Sequence, residues 1–179
     1  MTQSDLLTLL AYNYWANARI LDCAERVTRA QLMEPANFDH QSAFQTLRHI
    51  VDVEWSWRLM AQQVSAIAML WDVEDLSDLE KVRAFWRRDE ATMRAYLESL
   101  DDDAVNAEID YGSAQGRSAQ SKKLWQIVMH IINHGTHHRS ELARYMRLAV
   151  LCSIVAHENY GTKLKKGKIC QNSNNGNDS

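Results

Sequence analysis

The chain has 179 residues, of which 46% are apolar, and a formal net charge of −3. This length fits a single domain with a core large enough to fold without stapling. The basic residues are spread among the acidic ones, which argues against a nucleic-acid partner. One proline and six glycines favour long uninterrupted helices, so we expect an all-α fold.

The cysteines and the N-terminal residues indicate the cellular compartment. Cys23, Cys152 and Cys170 are widely spaced and include no CxxC pair, which is typical of free thiols in a reducing environment. The first residues show no basic segment before an apolar run, and no apolar stretch reaches the roughly 18 to 20 residues of a membrane span. We therefore expect a cytoplasmic protein without a membrane partner.

Four amphipathic helices are predicted in chain order. Apolar residues at helical spacing predict the first over about 4–26. The segments 42–63 and 77–100 each open with a Ser-x-x-Gln or Ser-x-x-Glu capping pattern and predict the second and third helices. The fourth is predicted over 121–148. Four helices of this length favour a four-helix bundle.

Two segments are predicted to lie outside the regular helices. The segment 101–120 contains three consecutive aspartates and two glycines, which favours a loop that includes a short hairpin. We divide the chain into a helical domain over 1–148 and an atypical C-terminal segment over 149–179. Beyond about residue 161 the sequence is too polar to offset the entropy of ordering, so we expect disorder there.

Histidines are the most informative residues of the chain, and four of the seven lie within nine residues of the fourth predicted helix, namely His130, His134, His137 and His138. Residues four apart lie one above the other on a helix, so His134 and His138 can direct their imidazoles at one point. At about 100° per residue, His138 lies within the apolar stripe and His134 at its edge, whereas His130 and His137 lie further towards solvent. His49, at the edge of the second helix's stripe, is placed to meet the pair.

The sequence therefore predicts a metal site formed by His49, His134 and His138. Three neutral imidazoles suit zinc or nickel first, with iron, manganese or copper as alternatives, and they leave a coordination position for water or substrate. The alternative is that these histidines pack without a metal, since a lone buried histidine such as His49 is ordinarily a hydrogen-bonded packing residue. His40 and His157 receive no role.

Other candidate residues are less specific. Glu141 is expected either to orient a ligand imidazole, to act as a base, or to lie at the surface. Tyr14, Asn17 and Trp57 are candidates for the lining of a pocket, with simple packing as the alternative. No side chain is assigned as the catalytic group, and a water or thiolate on the metal is the expected nucleophile.

Three segments of the chain resemble the DinB family of damage-inducible, metal-binding bundle proteins and the related YfiT-like proteins. They are Tyr12–Asn17, Thr46–Ile50 followed by Glu54 and Trp55, and Asn133–Arg139. The resemblance implies an up-down-down-up four-helix bundle, often a homodimer, whose metal is held by the histidines that match His49, His134 and His138. It also implies that a low-molecular-weight thiol, such as bacillithiol or mycothiol, is a cosubstrate in some relatives. After about Met146 the sequence departs from the family pattern.

Two functions remain open from the sequence. The first is a metal-dependent thiol S-transferase or hydrolase that acts on small molecules through the three-histidine site. The alternative is a non-catalytic, metal-binding stress-response protein or dimerisation module.

Overall fold

The computed structural model describes residues 1–35, 40–64, 68–111 and 120–171. Its helices and strands are, in chain order, α1 (Gln3–Ala24), α2 (Arg29–Met33), α3 (Ala43–Ala61), α4 (Leu70–Val73), α5 (Leu79–Glu98), α6 (Asp102–Asn106), β1 (Glu108–Tyr111), β2 (Gln120–Lys123) and α7 (Leu124–Gln171). The mostly helical fold that the sequence predicts is confirmed. Among the described helices, none combines the length and the apolar composition needed to cross a bilayer.

The hairpin expected between the third and fourth long helices is present. β1 pairs antiparallel with β2, and Glu108 lies opposite Lys123. β2 begins at Gln120, so the last helix starts at Leu124 rather than at Ser121. The residues that connect the two strands, 112–119, lie outside the described residues.

The last helix extends into the C-terminal segment. α7 continues past residue 161 to Gln171. Residues 172–179 lie outside the described residues. The division of the chain at residue 148 and the disorder expected beyond about residue 161 stay predictions.

The long helices begin at polar caps close to the predicted positions. The Ser42 hydroxyl accepts a hydrogen bond from the Gln45 amide at the start of α3. At α5 the cap is Asp78 rather than Ser77, because the Asp78 carboxylate accepts from the Lys81 amide. A carboxylate at this place also interacts favourably with the helix dipole. The cap at Ser42 places His49 about two turns into α3.

The four long helices pack around one hydrophobic core. α7 packs against α1 and α3, and α5 packs against the same two helices. The fully buried side chains come from all four, and the largest include Leu6, Leu10, Leu47, Ile50, Met93, Leu97, Leu124, Ile127 and Leu142. Each such side chain contributes about 1.5–3 kcal/mol when it is buried. The up-down-down-up order of these helices stays a prediction.

The buried face of α3 is only partly the one that its apolar residues indicate. Their spacing predicts that Val53, Trp57 and Met60 face the core, but all three are only half-buried. Glu54 and Arg58 are buried instead. The apolar pattern fails here because it assigns charged residues to solvent, whereas these two have buried partners.

A buried polar network joins the four long helices, and we call it the Glu54 network. The Glu54 carboxylate on α3 accepts hydrogen bonds from the side-chain amides of Asn13 and Asn17 on α1, at 2.8 and 2.9 Å. It also accepts one from Trp86 Nε1 on α5. Arg139 on α7 donates to the carbonyl oxygens of the same two asparagines, at 2.8 and 2.5 Å. The two amides therefore lie between a carboxylate and a guanidinium.

The charge state of Glu54 follows from these partners. The pKa of Glu54 is raised on balance, because the effect of burial outweighs the hydrogen bonds from Trp86, Asn13 and Asn17 and the charge of Arg139, all of which lower it. All the groups that touch the carboxylate are donors, and only an ionised carboxylate accepts from all of them. Loss of one donor would leave a buried charge with less compensation, which is strongly destabilising.

Gly135 gives the network its space on α7. A Cβ atom at this position would lie 2.5 Å from Arg139 Nη1 and 3.2 Å from Asn13 Oδ1. Since the Arg139 side chain is buried and hydrogen-bonded to two asparagines, it has little room to move aside. Glycine is therefore required here by the close approach of the guanidinium.

We predict that Gly135→Ala lowers the free energy of unfolding in urea. Alanine is the better helix former by about 1 kcal/mol, but displacement of Arg139 from a buried charged network should cost more, leaving a net loss of about 1–2 kcal/mol. Asn133→Ala, at an exposed position of the same helix, is the control and should be neutral or slightly stabilising. An equally stable Gly135→Ala protein would contradict the role given to the close approach.

Candidate metal centre

Three imidazoles from two helices meet where α3 faces α7. The ring centroids of His134 and His138, one turn apart on α7, are separated by 4.6 Å. The His49 ring on α3 lies 4.9 Å from His134 and 5.0 Å from His138. The three histidines that the sequence predicts as metal ligands thus lie side by side.

The nearest pair of ring nitrogens has a spacing that fits two ligands of one ion. His49 Nε2 and His134 Nε2 are 3.0 Å apart. Two imidazole nitrogens bound to one tetrahedral zinc ion at about 2.0–2.1 Å would lie roughly 3.3–3.4 Å apart, so only a small adjustment is needed. His134 Nδ1 is buried without a hydrogen-bond partner among the described residues. A hydrogen bond or a metal bond to this ring would therefore offset part of the free-energy cost of burying its polar nitrogens.

Burial and the neighbouring imidazoles keep His49 and His134 uncharged at neutral pH. Burial, together with repulsion from charge on His40 and His138, lowers the pKa of His49 to about 4. Burial also lowers the pKa of His134 to about 3, with further contributions from His138 and His49. Neutral imidazole is the form that binds a metal ion, so protons do not compete for these nitrogens at neutral pH.

Glu141 contacts the third imidazole. Its Oε2 atom lies 2.8 Å from His138 Nδ1, and His138 is buried. A carboxylate at this distance accepts a hydrogen bond from the Nδ1–H group and leaves Nε2 with its lone pair, as in many histidine ligands of metals. His137 is exposed and its Nε2 lies 3.6 Å from the other Glu141 oxygen. Glu141 is therefore placed to fix the tautomer and the orientation of His138.

A fourth histidine belongs to the cluster although the sequence analysis gives it no role. The His40 ring stacks on His49 with 3.7 Å between centroids and 25° between planes. The ligand nitrogens of His40, His49 and His138 all lie within 4.8 Å of one another. His134 is not in that group and joins the cluster through its contact with His49. His40 precedes α3, where helical phase carries no information, so periodicity could not find it.

The three residues that the sequence predicts as a pocket lining, Tyr14, Asn17 and Trp57, do not line one common cavity in the described part of the chain. Tyr14 and Asn17 line a cavity of about 100 Å³ together with Trp86 and other residues of α1 and α5, and no histidine lines it. Asn17 is engaged by the Glu54 network. Trp57 packs against His130, with 4.3 Å between ring centroids, on the flank of the cluster.

A larger opening lies directly beside the histidines. This cavity, of about 260 Å³, is lined by His40, Gln41, Gln45, His49 and Trp71. We call it the histidine cavity. It gives small molecules a route to the imidazoles.

Comparison with known proteins decides the family. The family model for DinB matches residues 1–151. The chain belongs to the DinB family. Among curated proteins, none matches the chain significantly. Membership of DinB and the histidine cluster together point to a metal site, and neither determines the identity of the metal.

We predict that Glu141→Ala weakens zinc binding by about 10- to 100-fold, because His138 loses the partner that fixes its tautomer. Glu141→Gln should lose less, since the amide oxygen can still accept the Nδ1 proton. Affinities can be measured by competition with a chromophoric chelator. Equal affinities of the wild type and Glu141→Ala would show that the carboxylate does not support the ligand.

Proposed function

We propose that this DinB-family chain binds one divalent transition-metal ion through His49, His134 and His138 and uses it in a group-transfer or hydrolysis reaction on a small molecule. The observation that carries the proposal is the 3.0 Å approach of His49 Nε2 to His134 Nε2, with His138 beside both. Zinc or nickel suits three imidazoles, with iron, manganese or copper as alternatives.

In this proposal the three histidines and Glu141 have separate roles. The three imidazoles hold the ion, and Glu141 orients His138. When bound, the ion supplies Lewis acidity, which lowers the pKa of a water or thiol and makes it a nucleophile at neutral pH. The burial that keeps His49 and His134 neutral also keeps them available as ligands. Glu141 is a base only if its carboxylate is released from His138.

The histidine cavity is the proposed substrate entrance. Trp71 offers it an apolar wall, and Gln41 and Gln45 offer amides for hydrogen bonds. Its volume of about 260 Å³ suits a small molecule rather than a protein segment. A low-molecular-weight thiol is the proposed cosubstrate for transfer. The homodimer and the cytoplasmic location stay predictions.

Arg48 favours a negatively charged group at this entrance. Its guanidinium lies over the ring of Trp71, 5.4 Å from the centroid, and its Nη1 donates to Gln45 Oε1. Both of these neighbours line the histidine cavity. Arg48 Nε is buried without a hydrogen-bond partner among the described residues. The positive charge of Arg48, next to two residues of the cavity wall, would attract a carboxylate on a thiol or substrate that enters the cavity.

We predict that His134→Ala abolishes stoichiometric metal binding and, with it, turnover of an electrophilic small molecule by any thiol that supports the wild type. Loss of this ring removes one of the two nitrogens that approach each other to 3.0 Å, and with it one of the three proposed ligands. His130→Ala, on an exposed ring of the same helix, is the matched control and should retain both properties. Elemental analysis of untagged protein measures the metal, and turnover in metal-free protein would contradict the proposal.

We predict that Arg48→Met raises the KM for a carboxylate-bearing thiol by about tenfold, the effect of losing one nearby positive charge, and changes kcat less than twofold. The methyl ester of the same thiol should show equal KM values with both proteins. A KM for the free acid that does not change would remove Arg48 from the binding of the thiol.

One observation favours a second function. His40 lies close enough to the cluster to fill the coordination position that three histidines leave open, and a site closed by four protein ligands is typical of a structural metal. In that case the chain is a non-catalytic metal-binding protein. Thermal melting with and without chelator, alongside a screen of thiols, separates the two functions: a large loss of stability without turnover favours the second.

A further inference from the structure

We propose that His40 is a fourth, exchangeable ligand of the metal, held over the site by a strained turn and displaced by the ligand that enters through the histidine cavity. The inference rests on the metal site of the proposed function. It concerns a residue outside the three histidines of that site.

The ring of His40 lies close to two of the three proposed metal ligands. Its ring stacks face to face on His49, and its ring centroid is 5.2 Å from that of His138. A ligand nitrogen of His40 lies within 4.8 Å of one on each of these residues. Stacking alone would need only His49, whereas nitrogens from all three rings converge. Convergence of imidazole nitrogens from separate elements is the arrangement that a common ion requires.

The backbone next to His40 forms a tight turn with an unusual conformation. The Ser42 amide donates to the His40 carbonyl oxygen at 2.8 Å, which closes a turn of three residues. The central residue, Gln41, has a φ of 68°, a left-handed value that a side chain with a Cβ rarely adopts. A three-residue turn with positive φ is rare and strained. Such strain persists where the surrounding structure fixes the conformation, and it is concentrated at functional sites.

The other described non-glycine residue with positive φ provides a contrast. Gln63, at 56°, follows the C-cap of α3, where a left-handed residue commonly ends a helix. Gln41 lies instead just before the N-cap Ser42, where a capped helix needs no such residue. What the turn at Gln41 achieves is to fold His40 back over His49, two turns further along α3.

The location of His40 explains why it would exchange. It lines the histidine cavity and also belongs to the imidazole cluster, so it stands between incoming molecules and the metal position. His49, His134 and His138 are held by the regular backbone of α3 and α7. His40 lies outside both helices and can move without disturbing them. An entering thiol would therefore replace His40 rather than one of the helical histidines.

The test compares zinc affinity and the number of zinc-bound imidazoles in variants of the full chain. Affinity is measured by chelator competition, and bound imidazoles are counted from the ¹⁵N shifts of histidine-labelled protein. We expect four bound imidazoles in the wild type and three in His40→Ala, with affinity reduced at least tenfold, because even the partner of a ligand is worth about 10- to 100-fold. His130→Ala should match the wild type.

A pair of variants at Gln41 tests the turn without removing an imidazole. Gln41→Gly accepts a φ of 68° without strain and should keep zinc affinity within about threefold. Gln41→Pro fixes φ near −65°, opens the turn and should lose affinity as His40→Ala does. Equal thermal melting of the metal-free proteins excludes misfolding as the cause.

Three outcomes contradict the inference, and each has a different meaning. If His134→Ala loses zinc while His40→Ala keeps wild-type affinity and all the bound imidazoles, the three-histidine site stands and His40 is not a ligand. If the wild type binds no zinc, nickel, iron, manganese or copper ion, the proposed function fails as well. Addition of a thiol to the zinc protein should release one imidazole, that of His40, and its retention would show that the ligand is not exchangeable.

Discussion

The buried carboxylate of Glu54 is the constraint on which the arrangement of the helices depends. A charged group that is 1% exposed must have donors in fixed places, and here they come from α1 and α5, with Arg139 of α7 held behind the two asparagines. A shift of any long helix along its axis would remove at least one of these hydrogen bonds. Apolar side chains tolerate sliding far better, because dispersion and burial are not directional. The core therefore supplies most of the stability, while the Glu54 network specifies one register.

This register determines the geometry of the histidines. Arg139 directly follows His138 on α7, and Glu54 lies five residues after His49 on α3. Once the network fixes α3 against α7, the three imidazoles have little freedom beyond their own rotamers. The close approach at Gly135 lies within the same turn of α7, next to His134. The polar core and the candidate metal centre are thus neighbouring layers of one interface, and a change in the first should reach the second through the backbone of α7.

Much of this could be predicted from the sequence, for identifiable reasons. Helical periodicity and caps gave the long helices, and the phase of α7 separates the buried His138 from the exposed His130 and His137. The errors have a common physical origin, since periodicity treats polar residues as solvent-facing. It therefore missed the burial of Glu54 and Arg58. The Arg58 guanidinium has its own buried partner, with Nε 2.7 Å from Asp89 Oδ1 across α3 and α5. His40 was missed because its position depends on a turn, and a positive φ at glutamine has no sequence signal.

The fold and the candidate site depend on different interactions, and this bears on how the metal would act. No side chain of the histidine cluster belongs to the hydrophobic core or to the Glu54 network, although His138 is buried. Small zinc domains differ, because their metal replaces a core and they unfold without it. In this chain the described core contains none of these imidazoles, and the low pKa values of His49 and His134, about 4 and 3, keep the two rings neutral. Neutral imidazoles in contact satisfy one another only in part: His49 and His134 can share one N–H···N hydrogen bond, while His134 Nδ1 has no partner among the described residues. The bundle therefore holds in place a set of nitrogens that a divalent ion would satisfy better than water or protons can.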